Sequence, residues 1–220
     1  MTEYAVLDED GLVSTPSHLS DTEAATLPCA AVTAWHSLVE VGGVKAGDTV
    51  LLLGTSGVSI FALQFAQMLG ARVIHTSSSD EKRARLTELG AWQTITYADT
   101  PEWQDAVMDI SEGRGVDHVV EVGGPSTMER SITATRIAGT IGDIGTLSQC
   151  SVNPRSFMRK GLCVQGIYVG HHNMFEDMNR AIAQYELRPV IDRTFAMEDA
   201  RDAFHCMATG HHFGKIVIAL

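Results

Sequence analysis

The sequence predicts an α/β protein built on one doubly wound parallel sheet, and three observations predict it. Short apolar runs of strand length alternate with segments of helical periodicity. Glycines or capping serines and threonines stand at the junctions. The turn after the first strand carries two glycines.

The first run, Thr49 to Leu53, follows the Lys45-Ala46-Gly47-Asp48 turn and is apolar without alternation, as expected of a strand buried on both faces. After Gly54 to Ser59, the residues Val58, Ala62, Phe65 and Leu69 recur at helical spacing until Gly70 supplies a stop. Ala71 to Thr76 reads as a second strand. Ser78, with Glu81 in capping-box spacing, opens a helix to about Leu89, before Gly90. The alternation continues with a strand over Gln93 to Tyr97, a helix opened by Thr100 and Pro101 toward Ile110, and a strand over Asp117 to Val122. Ser126 opens a helix to about Arg136, and Thr140 to Ile144 is a strand.

From Gly145 the pattern loosens through Pro154 to Lys160, and Cys163 to Val169 gives a further strand, proposed as an edge through which two chains pair. Phe175, Met178, Ile182 and Tyr185 mark one later helix face, and Ala200, Ala203 and Met207 another. Lys215 to Leu220 is a terminal strand. A short strand is expected over Tyr4 to Leu7, within a first segment that fits neither the sheet nor a domain of its own.

The chain has 220 residues, 45% of them hydrophobic and 20% charged, the balance of a globular protein. A net charge of -11 repels nucleic acid and anionic membrane surfaces at long range while leaving room for one small anionic ligand. Cys29, Cys150, Cys163 and Cys206 form no CxxC pair, and no signal-peptide pattern opens the chain, so a cytoplasmic setting is expected. No apolar run approaches the roughly 20 residues of a membrane span.

Function is concentrated in Gly54-Thr55-Ser56-Gly57-Val58-Ser59. A turn between a parallel strand and its helix aims N–H groups and the positive helix end at one point, which suits a pyrophosphate. Glycines keep side chains out of the phosphate's path. Serine stands at the second and third fingerprint positions, so the G-x-G-x-x-G match fails and the context carries the reading; a tight turn serving another ligand stays open at this point. At the end of the second strand, where NAD binders place a carboxylate, this chain has Ser77. Hydroxyls of Ser77, Ser78 and Ser79 and the charges of Lys82 and Arg83 suit a 2′-phosphate, which favours NADP(H) over NAD(H). The same serines also read as helix caps, with the basic residues in solvent.

With Leu27-Pro28-Cys29-Ala30-Ala31-Val32-Thr33-Ala34-Trp35, the Lys45 to Ala66 block, Thr76 to Lys82, Val119-Val120-Glu121-Val122-Gly123-Gly124, Ile141 to Gly145 and His212 to Ile218, the chain resembles the medium-chain dehydrogenases/reductases, specifically the zinc-type alcohol dehydrogenase and quinone-oxidoreductase-like group. The resemblance implies a Rossmann domain over 25–170. It implies remnants of a GroES-like β-barrel catalytic domain on either side: residues 1–24 as its closing edge, and 171–220 as a segment returning to it. It places Gly54, Gly57 and Val58 at the pyrophosphate, with Ser56 in that loop where a fingerprint glycine is usual. Ser77 and Lys82 fall at the adenosine 2′ position, Gly123 beside the adenosine, and Thr33, Gly145 and Val169 around the nicotinamide. His171-His172 departs from a small residue and arginine usual there. The substrate and the catalytic residues are not implied.

Cys29 resembles the position of one zinc ligand in zinc-using relatives. A catalytic zinc takes three protein groups and a water, so Cys29 is expected to be a small buried residue and no zinc is expected in this chain. The adjacent pairs His171-His172 and His211-His212 point apart on regular structure. There is no Gly-x-Ser-x-Gly elbow, and no tyrosine is followed four residues later by lysine, so serine-hydrolase and short-chain dehydrogenase chemistry lack support. Glu121 reads as core. Three readings remain: an oxidoreductase exchanging hydride between nicotinamide and a carbonyl, alcohol or activated alkene; a non-catalytic NADP(H)-binding or interaction module; and a methyltransferase-like sheet.

Overall fold

The computed structural model describes residue 2 and residues 4–146 and 151–220. Cys150 therefore lies outside the described residues. Helix α1 (Asp21–Ala24) is opened by a Ser20–Glu23 capping box, and α2 (Val32–Trp35) is extended on both sides by wider helical turns. Then follow β1 (Thr49–Leu52), α3 (Gly57–Met68), β2 (Arg72–Ser77), α4 (Asp80–Glu88), β3 (Gln93–Thr96), α5 (Trp103–Ile110), β4 (Val116–Glu121), α6 (Pro125–Ala134) and β5 (Thr135–Asp143). The chain continues with α7 (Pro154–Lys160), β6 (Cys163–Gly166), α8 (His172–Gln184), β7 (Ile191–Ala196), α9 (Ala200–Ala208) and β8 (Lys215–Ala219).

Six strands form one parallel sheet in the order β3-β2-β1-β4-β5-β6. Winding reverses between β1 and β4, so the C-terminal ends of these two strands border the crevice in which open α/β sheets place ligands. All of β1 is buried, as its unalternating apolar run requires. Its side chains divide between two cores. Val50 and Leu52 pack with Phe61, Phe65, Met178 and Ile182 on one face, while Leu51 and Leu53 pack with Trp103, Val107, Met128 and Ile132 on the other. Trp35 meets Phe65 edge-on at 5.6 Å, fixing α2 against α3.

At the opposite end of the sheet the Asp117 carboxylate accepts from Thr49 N–H, Arg114 and Arg136, at 2.9, 2.6 and 2.6 Å. Burial raises its pKa, but the two guanidiniums and the amide outweigh burial and hold the carboxyl well below the usual range.

Several expected elements differ. Tyr4 to Leu7 forms no strand; Tyr4, Val6 and Leu7 are exposed and join no strand ladder among the described residues. The capping residue of α4 is Ser79, not Ser78: its Oγ accepts from Lys82 N–H, starting the helix at Asp80. Helices α5 and α6 begin at Trp103 and Pro125, not at Thr100 and Ser126, because Glu102 and Gly124 hold the non-helical cap positions. Strand β5 begins at Thr135, ahead of an irregularity that places Ala138 at φ 55°. The stretch Pro154 to Lys160 is a helix, capped by Asn153 and ended by left-handed Gly161. Strand β7, which the sequence pattern does not announce, pairs in parallel with β8 in a separate two-stranded sheet.

The first segment straps α8, through Asn179 Nδ2 donating to Ser14 O at 2.9 Å and His172 Nε2 to Leu12 O at 3.3 Å. No helix of the described residues is long and apolar enough to cross a membrane.

Candidate functional site

Gly54 sits at the head of β1 with φ 67°, a left-handed conformation that favours glycine, and no atom lies within 4 Å of where a Cβ would stand. The loop is open above Gly54 and held from below. Gly54 N–H donates to Thr76 Oγ1 at 3.3 Å, and the Gly54 carbonyl accepts from His75 Nε2 at 2.5 Å. Ser59 Oγ donates to Leu53 O at 2.6 Å, and Gly214 N–H donates to Thr55 O at 2.9 Å.

Ser56 is the exposed cap residue of α3 but makes no side-chain capping bond. The twelve-residue helix therefore presents its positive end with no side chain of its own over it. The side chain of Lys215 crosses this point: a Cβ on Gly57 would lie 2.6 Å from Lys215 Cδ, so the lysine stem runs over the start of α3 and a side chain at Gly57 would have to displace it. Val58 is half-buried behind it.

Beside the loop is a cavity of about 320 Å³ lined by Leu53, Gly54, Thr76, Trp103, Gly123 and Arg130. Gly123 is confined, since a Cβ there would fall 2.3 Å from Thr127 Oγ1. Glu121 shapes this wall. Its fully buried carboxylate accepts from Gly123 N–H, Gly124 N–H and Thr127 Oγ1 at 2.8, 3.0 and 2.6 Å, and also from Ser131 Oγ. Burial raises its pKa against these donors. Every one of these donors belongs to the turn into α6 or to that helix, which is the work of a core carboxylate.

Ser77 is buried at the end of β2, exchanging hydrogen bonds with Ser79: its Oγ donates to Ser79 O at 3.2 Å and accepts from Ser79 N–H at 3.4 Å. Lys82 Nζ donates to Gly210 O at 3.2 Å, and burial lowers its pKa. Arg83 is tied to Asp80 and Thr94, so Lys82 is the cation of this turn that faces a neutral acceptor. Lys82 and Lys215 both depress the His212 pKa, after burial, while Asp192 raises it, which places three basic groups and one carboxylate in one neighbourhood of a chain of charge -11.

Thr33 is buried in α2, and α2 with the turn after it holds residues 169–170: His36 Nδ1 bonds Val169 O at 2.8 Å, and a Cβ on Gly170 would strike Val32. Gly145 packs instead against Val122 and Gly124, where a Cβ would lie 2.4 Å from Gly124 N. Cys29 is exposed, not buried. Its φ is 67°, and it lines a second cavity, of about 410 Å³, with Val169 and His171. His171 caps α8 by accepting from Met174 N–H at 3.3 Å.

Sequence reasoning missed His75, Thr76 and Lys215 as parts of the loop. Only the strict alternation of β2, which puts His75 and Thr76 on opposite faces beside Gly54, offered a signal for the first two.

A sheet of this order, with a positive-φ glycine and an uncapped helix at its switch point, defines a Rossmann-like domain. Residues 57–184 match the zinc-binding dehydrogenase family, and the chain belongs to it, within the medium-chain dehydrogenases/reductases. It is 41% identical over 226 residues to a zinc-type alcohol dehydrogenase-like protein of Schizosaccharomyces pombe, covering 99% of this chain and 65% of that protein. A solved NAD-dependent alcohol dehydrogenase is 33% identical with a TM-score of 0.92, over 99% of this chain and 64% of that one. A mycobacterial structure complexed with NADPH is 25% identical with a TM-score of 0.82, over 93% of this chain and 66% of that one. The chain thus spans just under two thirds of each.

The family's name carries zinc, yet no group of three or more His, Cys, Asp or Glu among the described residues could hold a metal ion. The described residues do not by themselves fit a zinc site.

Proposed function

We propose that this chain is the NADP(H)-binding part of an oxidoreductase that moves a hydride between nicotinamide and a carbonyl, alcohol or activated alkene. The observation that carries the reading is Gly54 at φ 67°, open on its outer side, heading an uncapped α3 crossed by Lys215. Those features suit a pyrophosphate. Gly54, Ser56, Gly57 and Val58 are assigned to it, Gly123 to the adenosine, and Thr33, Gly145 and Val169 to the nicotinamide. The cofactor supplies the hydride chemistry, and this chain's residues bind and orient it.

NADP(H) is preferred over NAD(H) because Ser77 stands where a carboxylate would repel a 2′-phosphate, with Lys82 alongside. The groups around the substrate are assigned to the part of the relatives that this chain does not span, with residues 1–24 and 171–220 meeting that part. The exposed Phe204, Met207 and Leu220 support this assignment.

The test is titration of the purified chain with NADPH and with NADH, followed by reduced-nicotinamide fluorescence. Saturable binding, tighter for NADPH, is the expected outcome. Binding of neither overturns the proposal.

A further inference from the structure

We propose that His75 is the positioning residue of the dinucleotide loop, holding the Gly54 carbonyl so that the following peptide presents its N–H to the ligand; this rests on the dinucleotide reading above. Gly54 is gripped from both faces of the sheet by consecutive residues of β2. Thr76 Oγ1, on the α5 and α6 face, takes the Gly54 N–H at 3.3 Å. His75, on the face of α3, contacts the Gly54 carbonyl at 2.5 Å. Register fixes the reach, since His75 lies directly beside Leu52, two residues before Gly54.

The chemistry of the partner settles the tautomer. A carbonyl oxygen only accepts, so Nε2 carries the proton. Nδ1 is buried without a partner, so a second proton there would have no acceptor. The ring is a neutral donor with one use.

A trans peptide is planar with C=O and N–H antiparallel. Pinning the Gly54 carbonyl toward His75 therefore sends Thr55 N–H away from the ring. The other groups along the loop are fixed as well: Leu53 O by Ser59 Oγ and Thr55 O by Gly214 N–H. With these held, the 54–55 peptide is the remaining plane whose rotation would turn the loop's N–H groups off the ligand. At φ 67° glycine has little intrinsic resistance to that rotation. Donors aimed before the ligand arrives raise affinity by removing an ordering cost.

The test compares the 220-residue chain with His75→Leu, which keeps bulk and removes the donor, and His75→Gln, whose amide Nε2–H restores one. Amide hydrogen exchange over residues 54–57 and NADPH titration are read on each, with thermal melting to confirm folding. His75→Leu is expected to exchange faster across the loop and to bind NADPH about tenfold more weakly, the loss of one well-placed hydrogen bond. His75→Gln is expected to return both readings to within about threefold of the unsubstituted chain. Equal exchange in all three chains overturns the proposal, and so does a glutamine variant as impaired as the leucine one, which would assign the effect to packing. If the unsubstituted chain binds no dinucleotide, the functional reading falls, while the exchange comparison still decides whether His75 holds the loop.

Discussion

Acidification from pH 6.5 toward pH 4 will cost this protein much of its stability, and two buried histidines set the size of the loss. His75 and His118 are fully enclosed. Burial pushes each from 6.5 down to about 4, against the Gly54 bond in the first case and the field of Asp48 in the second. Each folded pKa lies below the unfolded one, so between these values the unfolded chain takes up a proton that the folded chain refuses. Their stabilising effect is complete above pH 6.5 and is lost as pH falls to the folded value. At 1.36 kcal/mol per pKa unit the loss is roughly 3 kcal/mol each, roughly 6 kcal/mol together at pH 4. That rivals the total stability of a domain, about 5–15 kcal/mol. Glu121 acts in the opposite sense: its pKa is raised by burial, so the folded chain gains as pH falls, and the net slope is shallower than the histidines alone would give. Urea unfolding at half-unit steps between pH 6.5 and 5 measures the slope. Replacing His118 with Gln should remove about half of the histidine contribution. A free energy of unfolding that stays flat over this range, or a slope unmoved by either histidine substitution, refutes the reasoning.

Three further outcomes are expected. Gly54→Ala adds a methyl into open space, so its structural cost is only the left-handed φ, about 1 kcal/mol by denaturation, while NADPH affinity should drop more than about tenfold because that space is where the phosphate enters; unchanged affinity counts against the loop. Ser77→Asp should weaken NADPH by about tenfold or more and leave NADH equal or tighter, and parallel losses for both would move the 2′ site elsewhere. Strand β6 ends the sheet with Cys163 exposed, so sedimentation should show a dimer that proline at Val164 dissociates, and a strictly monomeric chain removes edge pairing.

How much of this was legible in the sequence follows from where each element lies. Strand β1 and helix α3 are buried so completely that their apolar pattern announces them. Helix α7 buries no residue, which leaves no periodicity to read; only Asn153 and Gly161 at its ends marked it. Strand β7 carries Asp192, Arg193 and Thr194 and is nowhere fully buried, so pairing with β8 and not composition makes it a strand. Tyr4 to Leu7 has strand-forming residues but no partner, and β-propensity without a neighbouring strand decides little. In the candidate site, Gly54 and Ser77 could be named from the sequence because their signals are local spacing. Lys215 was not, because its meeting with Gly57 closes over most of the chain's length, and no local pattern records such a contact.

The same geography sets the sign of a salt effect. NADPH and NADH differ by one 2′-phosphate, so the ratio of their affinities isolates the field at that group. The protein's charge of -11 repels it from a distance, but at physiological ionic strength that field decays over about 8 Å. What acts at contact is local. Arg85 pairs with Asp192 at 3.1 Å, and although Asp192 also acts on Lys82, the Lys82 ammonium donates to the neutral Gly210 carbonyl, which leaves its charge open to a ligand. If Lys82 meets the 2′-phosphate, added salt screens an attraction and the NADPH:NADH affinity ratio falls. If the serines beside it only cap α4, the sole field on the extra phosphate is the repulsion of the whole chain, and added salt makes the ratio rise. Titrations with both cofactors at low and high sodium chloride therefore separate cap from binding site by the direction of one number, and a rising ratio sinks the assignment of Lys82.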